Sequence, residues 1–332
     1  MSLTGSTKKG KKFMNPIPTD EAGFDKLIPI FKEYFNNKAE NNPKKTIGPF
    51  KTDAAVYQNP PANGLRVTWI GHSSLLIEID GKRILTDPVW GQRVSFSQYF
   101  GPKRFFDAPL ALDELPPLDL VIISHDHYDH LDKHTMQFFA GKAVPFICSL
   151  GVGRHLEKWG ILPHFITEVD WGDSVMVGTD CVVTATPSRH FSGRGLTGRN
   201  ETLWSSFVIK GPVHNIFFGA DSGWFPGFEE IGDTFGPFDL TMLEIGAYGK
   251  FWPDIHMGPD NASNAHIALK GKLMMPLHWG TFNLAPHAWY EPIERLLDFA
   301  KQKNVKLFVP EPGKPTDVKG ELISGWWKKY LG

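Results

Sequence analysis

Histidines and aspartates are concentrated in the run HDHYDH at residues 125–130, directly after the apolar stretch LVII at residues 120–123. Imidazole nitrogen and carboxylate oxygen are the usual protein ligands of zinc and similar ions. His125 and His127 are two residues apart, so in an extended turn both side chains can point to the same side. We therefore predict a metal site after a buried strand. A polar surface loop that carries histidines by chance is the weaker alternative, because the whole run matches one ligand spacing.

Three further candidate ligands, His190, Asp221 and His278, each lie shortly after the carboxyl end of a later apolar run. Strand ends at one edge of a layered fold can converge on a single site. Together with the first run they make seven candidate ligands, which are too many for one tetrahedral ion. We therefore predict two metal ions. The predicted ligands are His125, His127 and His190 for one ion, Asp129, His130 and His278 for the other, and Asp221 as a bridge between both.

The elements that must position these ligands follow one another in a regular order. Short β-rich runs predict strands at residues 66–70, 75–79, 83–86, 118–124, 145–149, 174–177, 181–186, 205–209, 215–219, 240–245, 272–276 and 305–309. Apolar spacing predicts helices at residues 20–37, 133–140, 152–159, 227–235, 261–270 and 292–304. Asp80-Gly81 is a strong signal for a hairpin between the second and third strands. Hairpins come first and strands then alternate with helices, which predicts an α/β fold with two mixed sheets face to face and helices outside, a four-layer αββα sandwich.

We divide the chain of 332 residues into an N-terminal extension, residues 1–46, and one large domain, residues 47–332. The extension holds the first predicted helix, with Thr19 or Asp20 as its N-cap. Residues 1–13 are polar and basic and lack the apolar stretch of a signal peptide, so we expect a disordered tail there. An export signal that has been removed is the alternative, so the sequence leaves the compartment open between cytoplasmic and exported.

The composition excludes several classes of protein. Lys and Arg total 35 against 36 Asp and Glu, a formal net charge of -1, which argues against a dedicated nucleic-acid-binding protein. No apolar run approaches the roughly 20 residues that span a bilayer. The two cysteines, Cys148 and Cys181, lie in apolar runs, and we expect buried free thiols, with a single disulfide as the alternative.

The ligand run and several later segments resemble the metallo-β-lactamase superfamily and, within it, the N-acyl-phosphatidylethanolamine-hydrolysing phospholipases D. The segments are TDP at 86–88, LW at 203–204, GADSG at 219–223, FEEIG at 228–232, FGPFDL at 235–240, IGAY at 245–248 and HWGTF at 278–282. The histidine run alone is typical of the whole superfamily, whereas FGPFDL and HWGTF are much more diagnostic of the phospholipases. The resemblance extends from about residue 47 to the C-terminus.

This resemblance implies an αββα hydrolase domain over residues 47–332 that contains two zinc ions and cleaves phosphodiesters. A hydroxide held between the ions would hydrolyse N-acyl-phosphatidylethanolamine, or a related phosphodiester, to phosphatidic acid and an N-acylethanolamine. By the same resemblance Asp87 matches an aspartate near the metal ligands, and we expect it to orient a ligand histidine. A turn aspartate before Pro88 is nearly as good an interpretation of this residue.

His256 matches a family histidine near the substrate phosphate. Its imidazole would hydrogen-bond the phosphate or protonate the leaving alkoxide, and we place it in the substrate pocket rather than among the metal ligands. A surface histidine without a role is the alternative. The family is acidic just after this histidine, whereas this chain reads MGPDN at residues 257–261, which leaves the head group of the substrate open.

Two other segments bear on the partner. Arg189, Arg194 and Arg199 surround His190 in a Gly-rich stretch, where they could bind a phosphate or belong to a solvated loop. Residues 89–106 are rich in aromatic side chains, which could form a lip that contacts acyl chains or a membrane surface, although a hydrophobic plug in the interior is the stronger interpretation. We therefore predict a phosphodiester or phospholipid substrate, with peripheral membrane contact as an option and no nucleic acid.

Three other functions remain as alternatives. A lactonase or other ester hydrolase of the same superfamily would direct the same hydroxide at a carbonyl carbon. A nuclease is disfavoured by the balanced charge, and a binding protein with a silent metal site is disfavoured by the intact ligand set. The oligomeric state and the native metal are not determined by the sequence.

Overall fold

The computed structural model describes residues 4–332 apart from residues 22, 24, 25, 37 and 196, and two large β-sheets form the centre of this part. In spatial order the seven strands of the first sheet are β16 (Thr316–Asp317), β3 (Leu65–Gly71), β4 (Ser74–Ile79), β5 (Lys82–Thr86), β6 (Leu120–Ile123), β7 (Phe146–Ser149) and β8 (Ile166–Val169). The six strands of the second sheet are β14 (Met274–Leu277), β13 (Leu240–Glu244), β12 (Asn215–Phe218), β11 (Ser206–Lys210), β10 (Cys181–Thr186) and β9 (Ser174–Val177).

Two small sheets and six α-helices accompany the two large sheets in the described residues. The small sheets pair β1 (Thr7–Lys9) with β2 (Lys12–Met14) and β15 (Phe308–Val309) with β17 (Leu322–Ile323). The helices are α1 (Leu27–Asn36), α2 (Lys133–Phe139), α3 (Gly153–Lys158), α4 (Gly227–Phe235), α5 (Gly258–Ala268) and α6 (Glu291–Lys303). Short 3-10 helices lie at Ala54–Gln58, Leu112–Glu114, Pro163–Phe165 and Trp326–Tyr330. Among the described residues, no helix combines the length and the apolar character needed to cross a membrane.

The sheets and helices pack as the predicted four layers. On β6, Leu120 and Ile122 join the core between the two sheets, whereas Val121 and Ile123 point the other way and pack with α2 and α3. This alternation follows from the two-residue repeat of a strand, and burial on both faces explains why β6 is a continuous apolar run. The αββα architecture is therefore confirmed. Cys148 and Cys181 are buried free thiols, as predicted.

Parallel strands bring the candidate ligands to one edge of the sandwich. In the first sheet β5, β6, β7 and β8 run parallel, and in the second sheet β12, β13 and β14 do so. The loops after β6, β12 and β14 therefore leave their sheets at the carboxyl ends of parallel strands, where active sites of layered folds commonly lie. The hairpin predicted between β4 and β5 is also present, and Asp80 and Gly81 have the positive φ values, 46° and 84°, of a two-residue turn.

The expected disordered N-terminal tail is wrong for the described residues. Strands β1 and β2 form a hairpin, and Phe13 is 1% exposed in a cluster with Trp171 and Trp204. The backbone N–H of Phe13 donates to the carbonyl of Asn200 at 2.7 Å. Burial of the single aromatic ring of Phe13 among other aromatic side chains therefore anchors this basic segment to the domain. The division of the chain at residue 46 stays a prediction.

Helix α1 begins at Leu27, so the N-cap predicted at Thr19 or Asp20 is wrong. The hydroxyl of Thr19 instead donates to the carbonyl of Ile17 and accepts a hydrogen bond from Arg189, and these contacts hold the chain outside a helix. Residues 22, 24, 25 and 37 of the predicted helix lie outside the described residues.

Gly246, just after β13, offers a test of how tightly the strand ends are packed. A Cβ at this position would lie 2.0 Å from the carbonyl oxygen of His278, so Gly246→Ala must push the ends of β13 and β14 apart. We expect denaturant unfolding of the chelator-treated protein to show a stability loss of about 1–3 kcal/mol. In Gly195→Ala the added Cβ meets nothing within 4 Å, so that control should stay within about 0.5 kcal/mol of wild type. Equal stability of the two variants would contradict the close approach.

Candidate metal centre

One group of candidate ligands is built on the loops after β6 and β10. Nε2 of His125 lies 2.9 Å from Nδ1 of His127, and Nε2 of His190 lies 3.2 Å from the same Nδ1 atom. With a carboxylate oxygen of Asp221, these atoms form a set in which all members lie within 4.8 Å of one another. The three histidines that were predicted to share an ion are thus brought together.

A second group combines the end of the histidine run with the loop after β14. Nε2 of His278 lies 3.3 Å from Oδ2 of Asp129, and Nε2 of His130 lies 3.6 Å from the same oxygen. His278 has a φ of 63°, a left-handed conformation that is unusual for a side chain other than glycine. Its backbone N–H donates to the carbonyl of His72, which fixes this turn beside the first sheet.

Asp221 lies between the two groups. Its Oδ2 atom is 3.1 Å from Nε2 of His130, 3.2 Å from that of His278, 3.6 Å from that of His190 and 4.0 Å from that of His125. Only 3% of Asp221 is exposed. One carboxylate therefore faces histidines of both groups, which is the position predicted for a bridge.

The hydrogen bonding of these side chains fits metal ions. Nε2 of His130, Nε2 of His278 and Oδ1 of Asp221 are buried and make no hydrogen bond among the described residues, because the contacts of the two rings with Oδ2 of Asp221 lack hydrogen-bond geometry. A buried polar atom without a partner costs about 1–3 kcal/mol, so such a cluster is stable only if something else binds these atoms. A set of imidazole and carboxylate donors suits zinc and similar divalent ions.

The pKa shifts of the candidate ligands also favour bound cations. Burial and neighbouring histidines hold the pKa of His125 well below its ordinary value. For His278, burial is outweighed by Asp221 and Asp129, which raise its pKa to about 10. Burial would also raise the pKa of Asp221, but His130 and His278 outweigh it and hold that pKa well below the ordinary range. Ionised carboxylates thus remain at the centre of the site and favour bound cations.

Asp87 lies where it can orient a ligand. Its Oδ2 is 2.7 Å from Nδ1 of His130, and its carboxylate also accepts hydrogen bonds from the N–H and hydroxyl of Ser124 at 2.7 and 2.6 Å. Burial raises the pKa of Asp87, although His130 and Ser124 oppose this rise. The contact with Nδ1 leaves Nε2 of His130 free for the centre, as expected for a carboxylate that fixes a ligand histidine.

Asp126 belongs to the histidine run but not to the centre. Its Oδ1 accepts the N–H of Gly193 at 2.7 Å, and its Oδ2 lies 3.3 Å from Nε2 of His155. This carboxylate therefore ties the run to the following loop and helix α3.

The N-terminal extension holds His190 in place. Asn15 accepts the backbone N–H of His190 at 2.9 Å and donates to its carbonyl at 2.7 Å. Nδ1 of His190 lies 2.9 Å from the carbonyl oxygen of Ile255, so Nε2 is directed at the centre. The sequence contains no local signal for the contribution of Asn15, because 175 positions separate it from His190.

His72, in the turn between β3 and β4, was not among the predicted ligands. Its Nε2 lies 2.9 Å from Oδ2 of Asp129, and its ring centroid is 3.8 Å from that of His278. Ligand atoms of His72, Asp129, His130 and His278 all lie within 4.8 Å of one another. Burial lowers the pKa of His72 to about 3, so the ring is neutral. The one available signal was a histidine in the segment GHSS between two apolar runs, without any ligand spacing.

Glu244, the last residue of β13, was not predicted either. It is fully buried, and its Oε2 lies 2.6 Å from Nδ1 of His256. Ligand atoms of these two residues, Asp221 and His278 form a third compact group. His256 itself is 12% exposed and lies beside the centre, with ring centroids 5.0 Å from His190 and 5.2 Å from His278.

The centre forms the floor of a cavity of about 290 Å³. His127, Asp129, Asp221, His256 and His278 line its base. The walls are largely apolar and consist of Ile30, Phe191, Ala247, Trp252, Ile255 and Leu284. Glu21 and Arg199 complete the lining. A small polar base under apolar walls is typical of a site that binds a substrate with an apolar part.

The three arginines near His190 are mostly structural, so a shared role in binding phosphate is not supported. Arg194 donates to the backbone carbonyls of Asp126 and Leu131, both at 2.7 Å. Arg189 forms an ion pair with Asp254 at 2.7 Å, in addition to its bond with Thr19. Arg199 alone lines the cavity, where it pairs with Glu21.

The aromatic segment at residues 89–106 is divided between interior and surface. Phe106 is 4% exposed and packs in the core, as a hydrophobic plug would. Phe96, Tyr99 and Phe100, however, are 82%, 86% and 70% exposed.

Comparisons with known proteins agree with this geometry. Residues 82–279 match the model of the family described as "Beta-lactamase superfamily domain". The chain is 48% identical over 272 residues to an uncharacterized protein of Mycobacterium tuberculosis, with 80% of this chain and 73% of that protein covered. It is 33% identical over 309 residues to N-acyl-phosphatidylethanolamine-hydrolyzing phospholipase D 1 of Caenorhabditis elegans, with 87% and 86% covered.

Solved structures support the fold. Igni18, a metallo hydrolase of Ignicoccus hospitalis, superposes with a TM-score of 0.58 at 22% identity, and 76% of this chain and 97% of that chain are covered. A possible metal-dependent hydrolase of Veillonella parvula gives a TM-score of 0.61 at 17% identity over 76% and 98% of the two chains. The family match, the phospholipase homologue and the two groups of buried ligands lead to one conclusion: the chain belongs to the metallo-β-lactamase superfamily of metal-dependent hydrolases.

Proposed function

We propose that the protein is a binuclear zinc-dependent phosphodiesterase of the phospholipase D type, which hydrolyses N-acyl-phosphatidylethanolamine or a related phosphodiester. The observation that carries this proposal is the meeting of two ligand groups at Asp221, on the floor of a cavity with apolar walls. Similarity to the phospholipase of Caenorhabditis elegans supports the choice of substrate class. In this proposal residues 47–332 form the hydrolase domain, and residues 1–46 support it through Asn15.

The seven predicted ligands would hold two ions. The first ion would be held by His125, His127 and His190. The second ion would be held by Asp129, His130 and His278, and Asp221 would bind both ions. Bound zinc would supply the Lewis acidity that activates water near neutral pH and offsets the charge of a phosphodiester. Asp87 keeps Nε2 of His130 directed at the centre, while Asn15 and the carbonyl of Ile255 do the same for His190.

His256 is the residue that we assign to the leaving group. Hydrolysis forms a bond from the water oxygen to phosphorus and breaks the bond from phosphorus to the alcohol oxygen, which must gain a proton. His256 lies at the base of the cavity, and its Nδ1 already contacts Glu244. Its Nε2 therefore remains to hydrogen-bond the phosphate or to give the leaving oxygen its proton.

The apolar cavity walls and a separate exposed aromatic segment both fit a lipid substrate. Apolar side chains such as Phe191, Trp252 and Leu284 would contact an acyl chain. The exposed aromatic residues Phe96, Tyr99 and Phe100 would provide peripheral contact with a membrane surface, because aromatic rings favour the interface between lipid and water.

The first test of this proposal is the metal content. Wild type that is loaded with excess zinc and then desalted should contain two zinc ions per chain by elemental analysis. Asp221→Ala should lower both zinc content and activity, because this carboxylate faces both ligand groups. Asp126→Asn is the matched control from the same run and should retain both ions. A single tightly bound ion in wild type would count against the binuclear site.

The second test is a substrate panel. The zinc-loaded protein should cleave N-acyl-phosphatidylethanolamine and simple phosphodiesters faster than lactones or β-lactams. The apolar walls of the cavity and the similarity to the phospholipase of Caenorhabditis elegans both favour a lipid phosphodiester. Product release is followed chromatographically for the lipid and spectroscopically for chromogenic esters. If lactones are cleaved well and phosphodiesters not at all, the protein is a lactonase of the same superfamily.

The third test concerns His256. His256→Ala should keep both metals and the fold but lower kcat by about 10²-fold or more, the usual scale for general acid catalysis. The loss should shrink for nitrophenyl phosphodiesters, because a nitrophenolate leaves without a proton. His134→Ala, which alters an exposed histidine at the start of α2, is the control and should retain full turnover. Loss of metal, or full turnover of His256→Ala on an alkyl phosphodiester, would remove His256 from the mechanism.

A further inference from the structure

We propose that Glu244 is a positioning residue, which keeps the ring of His256 in the tautomer with a proton on Nδ1 and presents Nε2 to the cavity. This role rests on the proposed function of His256 but not on the identity of the substrate. Neither residue is needed to complete the two predicted ligand sets.

Both oxygens of Glu244 have a defined partner. Oε1 accepts the backbone N–H of Ser222 at 2.9 Å, and Oε2 lies 2.6 Å from Nδ1 of His256. Ser222 directly follows the central Asp221, so one carboxylate connects the loop after β12 with the loop that carries His256. The backbone of β13 pairs with β12 and β14 on its two sides, which holds Glu244 itself in place.

These contacts determine which ring nitrogen faces the substrate. An ionised Glu244 only accepts hydrogen bonds, so its partner at 2.6 Å is then the protonated Nδ1. A neutral imidazole then carries its lone pair on Nε2, and a protonated ring donates from Nε2. In either state Nε2 is the nitrogen available to the substrate phosphate or the leaving oxygen.

A purely structural role does not explain a glutamate at this position. Glu244 is fully buried, and transfer of a carboxylate from water into the interior is costly unless it is paired and hydrogen-bonded. A glutamine at the end of β13 would accept the N–H of Ser222 without burying a charge, and so would avoid that cost. The contact of Glu244 with His256 resembles the contact of Asp87 with His130. In each pair the carboxylate contacts Nδ1 of the ring and leaves Nε2 directed at the site.

A second interpretation assigns Glu244 and His256 to a metal ion, because their ligand atoms lie within 4.8 Å of those of Asp221 and His278. Against it, neither residue belongs to the two groups that contain the seven predicted ligands. Metal content of the variants separates the two interpretations.

The direct test is the tautomer of His256 in the zinc-loaded protein. Two-bond ¹H–¹⁵N correlation of histidine-labelled wild type, with His256→Ala for assignment, should show a proton on Nδ1 of His256. In Glu244→Gln the amide can still accept from Ser222 while its NH₂ group faces Nδ1, so the proton should move to Nε2. Wild type with the proton on Nε2 would overturn the proposal, and this measurement needs neither activity nor a folded variant at position 244.

Kinetics provide the second readout, on whichever ester with a poor leaving group the wild type cleaves. Glu244→Gln should lower kcat by about 10²–10⁴-fold with KM and both metals retained, and Glu244→Asp should recover part of the loss. In the His256→Ala background, Glu244→Gln should have no further effect beyond about twofold, as expected for coupled residues.

The control is Glu168→Gln on the edge strand β8. It neutralises a carboxylate that accepts the backbone N–H of Gly153, and this variant should leave kcat unchanged. Loss of metal from Glu244→Gln, or an equal loss of activity with and without His256, would overturn the positioning role. If wild type cleaves no phosphodiester, the proposed function fails, while the tautomer measurement still decides the role of Glu244.

Discussion

The burial of ionisable side chains around Asp221 is the constraint on which the rest of the structure depends. Imidazole and carboxylate groups from four loops lie within hydrogen-bond or near-contact distance, and several of their polar atoms have no partner among the described residues. Such a concentration of charge and unsatisfied polarity is unstable by itself, because desolvation opposes every charged group. Bound cations would remove this cost, and the fold holds the candidate ligand atoms of each group within 4.8 Å of one another.

The scaffold meets this demand through parallel strands and through hydrogen bonds to ligand residues. Strands β12, β13 and β14 end side by side, so Asp221, Glu244 and His278 emerge together from the second sheet. Asp87 then directs His130, and the N-terminal Asn15 clamps the backbone of His190. Each of these hydrogen bonds restricts the side-chain torsions of a candidate ligand, so the ligand is already oriented when a metal or substrate binds.

The cavity above the centre bears on which substrates a metal-dependent hydrolase of this superfamily can accept. The ligand groups define a metal-dependent hydrolase, but a hydroxide at such a centre can attack phosphorus or carbon. In the proposed mechanism, selectivity depends on the cavity walls around Trp252 and on the proton supply that we assign to His256 and Glu244. The resemblance to phospholipases applies to the whole sandwich, while these residues are the features of this chain that bear on its substrate.

Much of the centre was predictable from the sequence alone. Seven candidate ligands could be named because each follows the carboxyl end of an apolar strand, and the alternation of strands and helices predicted the αββα layers. The tertiary structure alone decided the places of His72, Glu244 and Asn15, which have no local pattern and meet their partners across 57, 12 and 175 positions. It also decided that residues 7–14 of the basic segment form a hairpin, because the cluster that Phe13 joins is built from Trp171, Leu203 and Trp204. Periodicity reports how a segment faces its own sheet or helix, whereas contacts between distant segments depend on the shape of the assembled core.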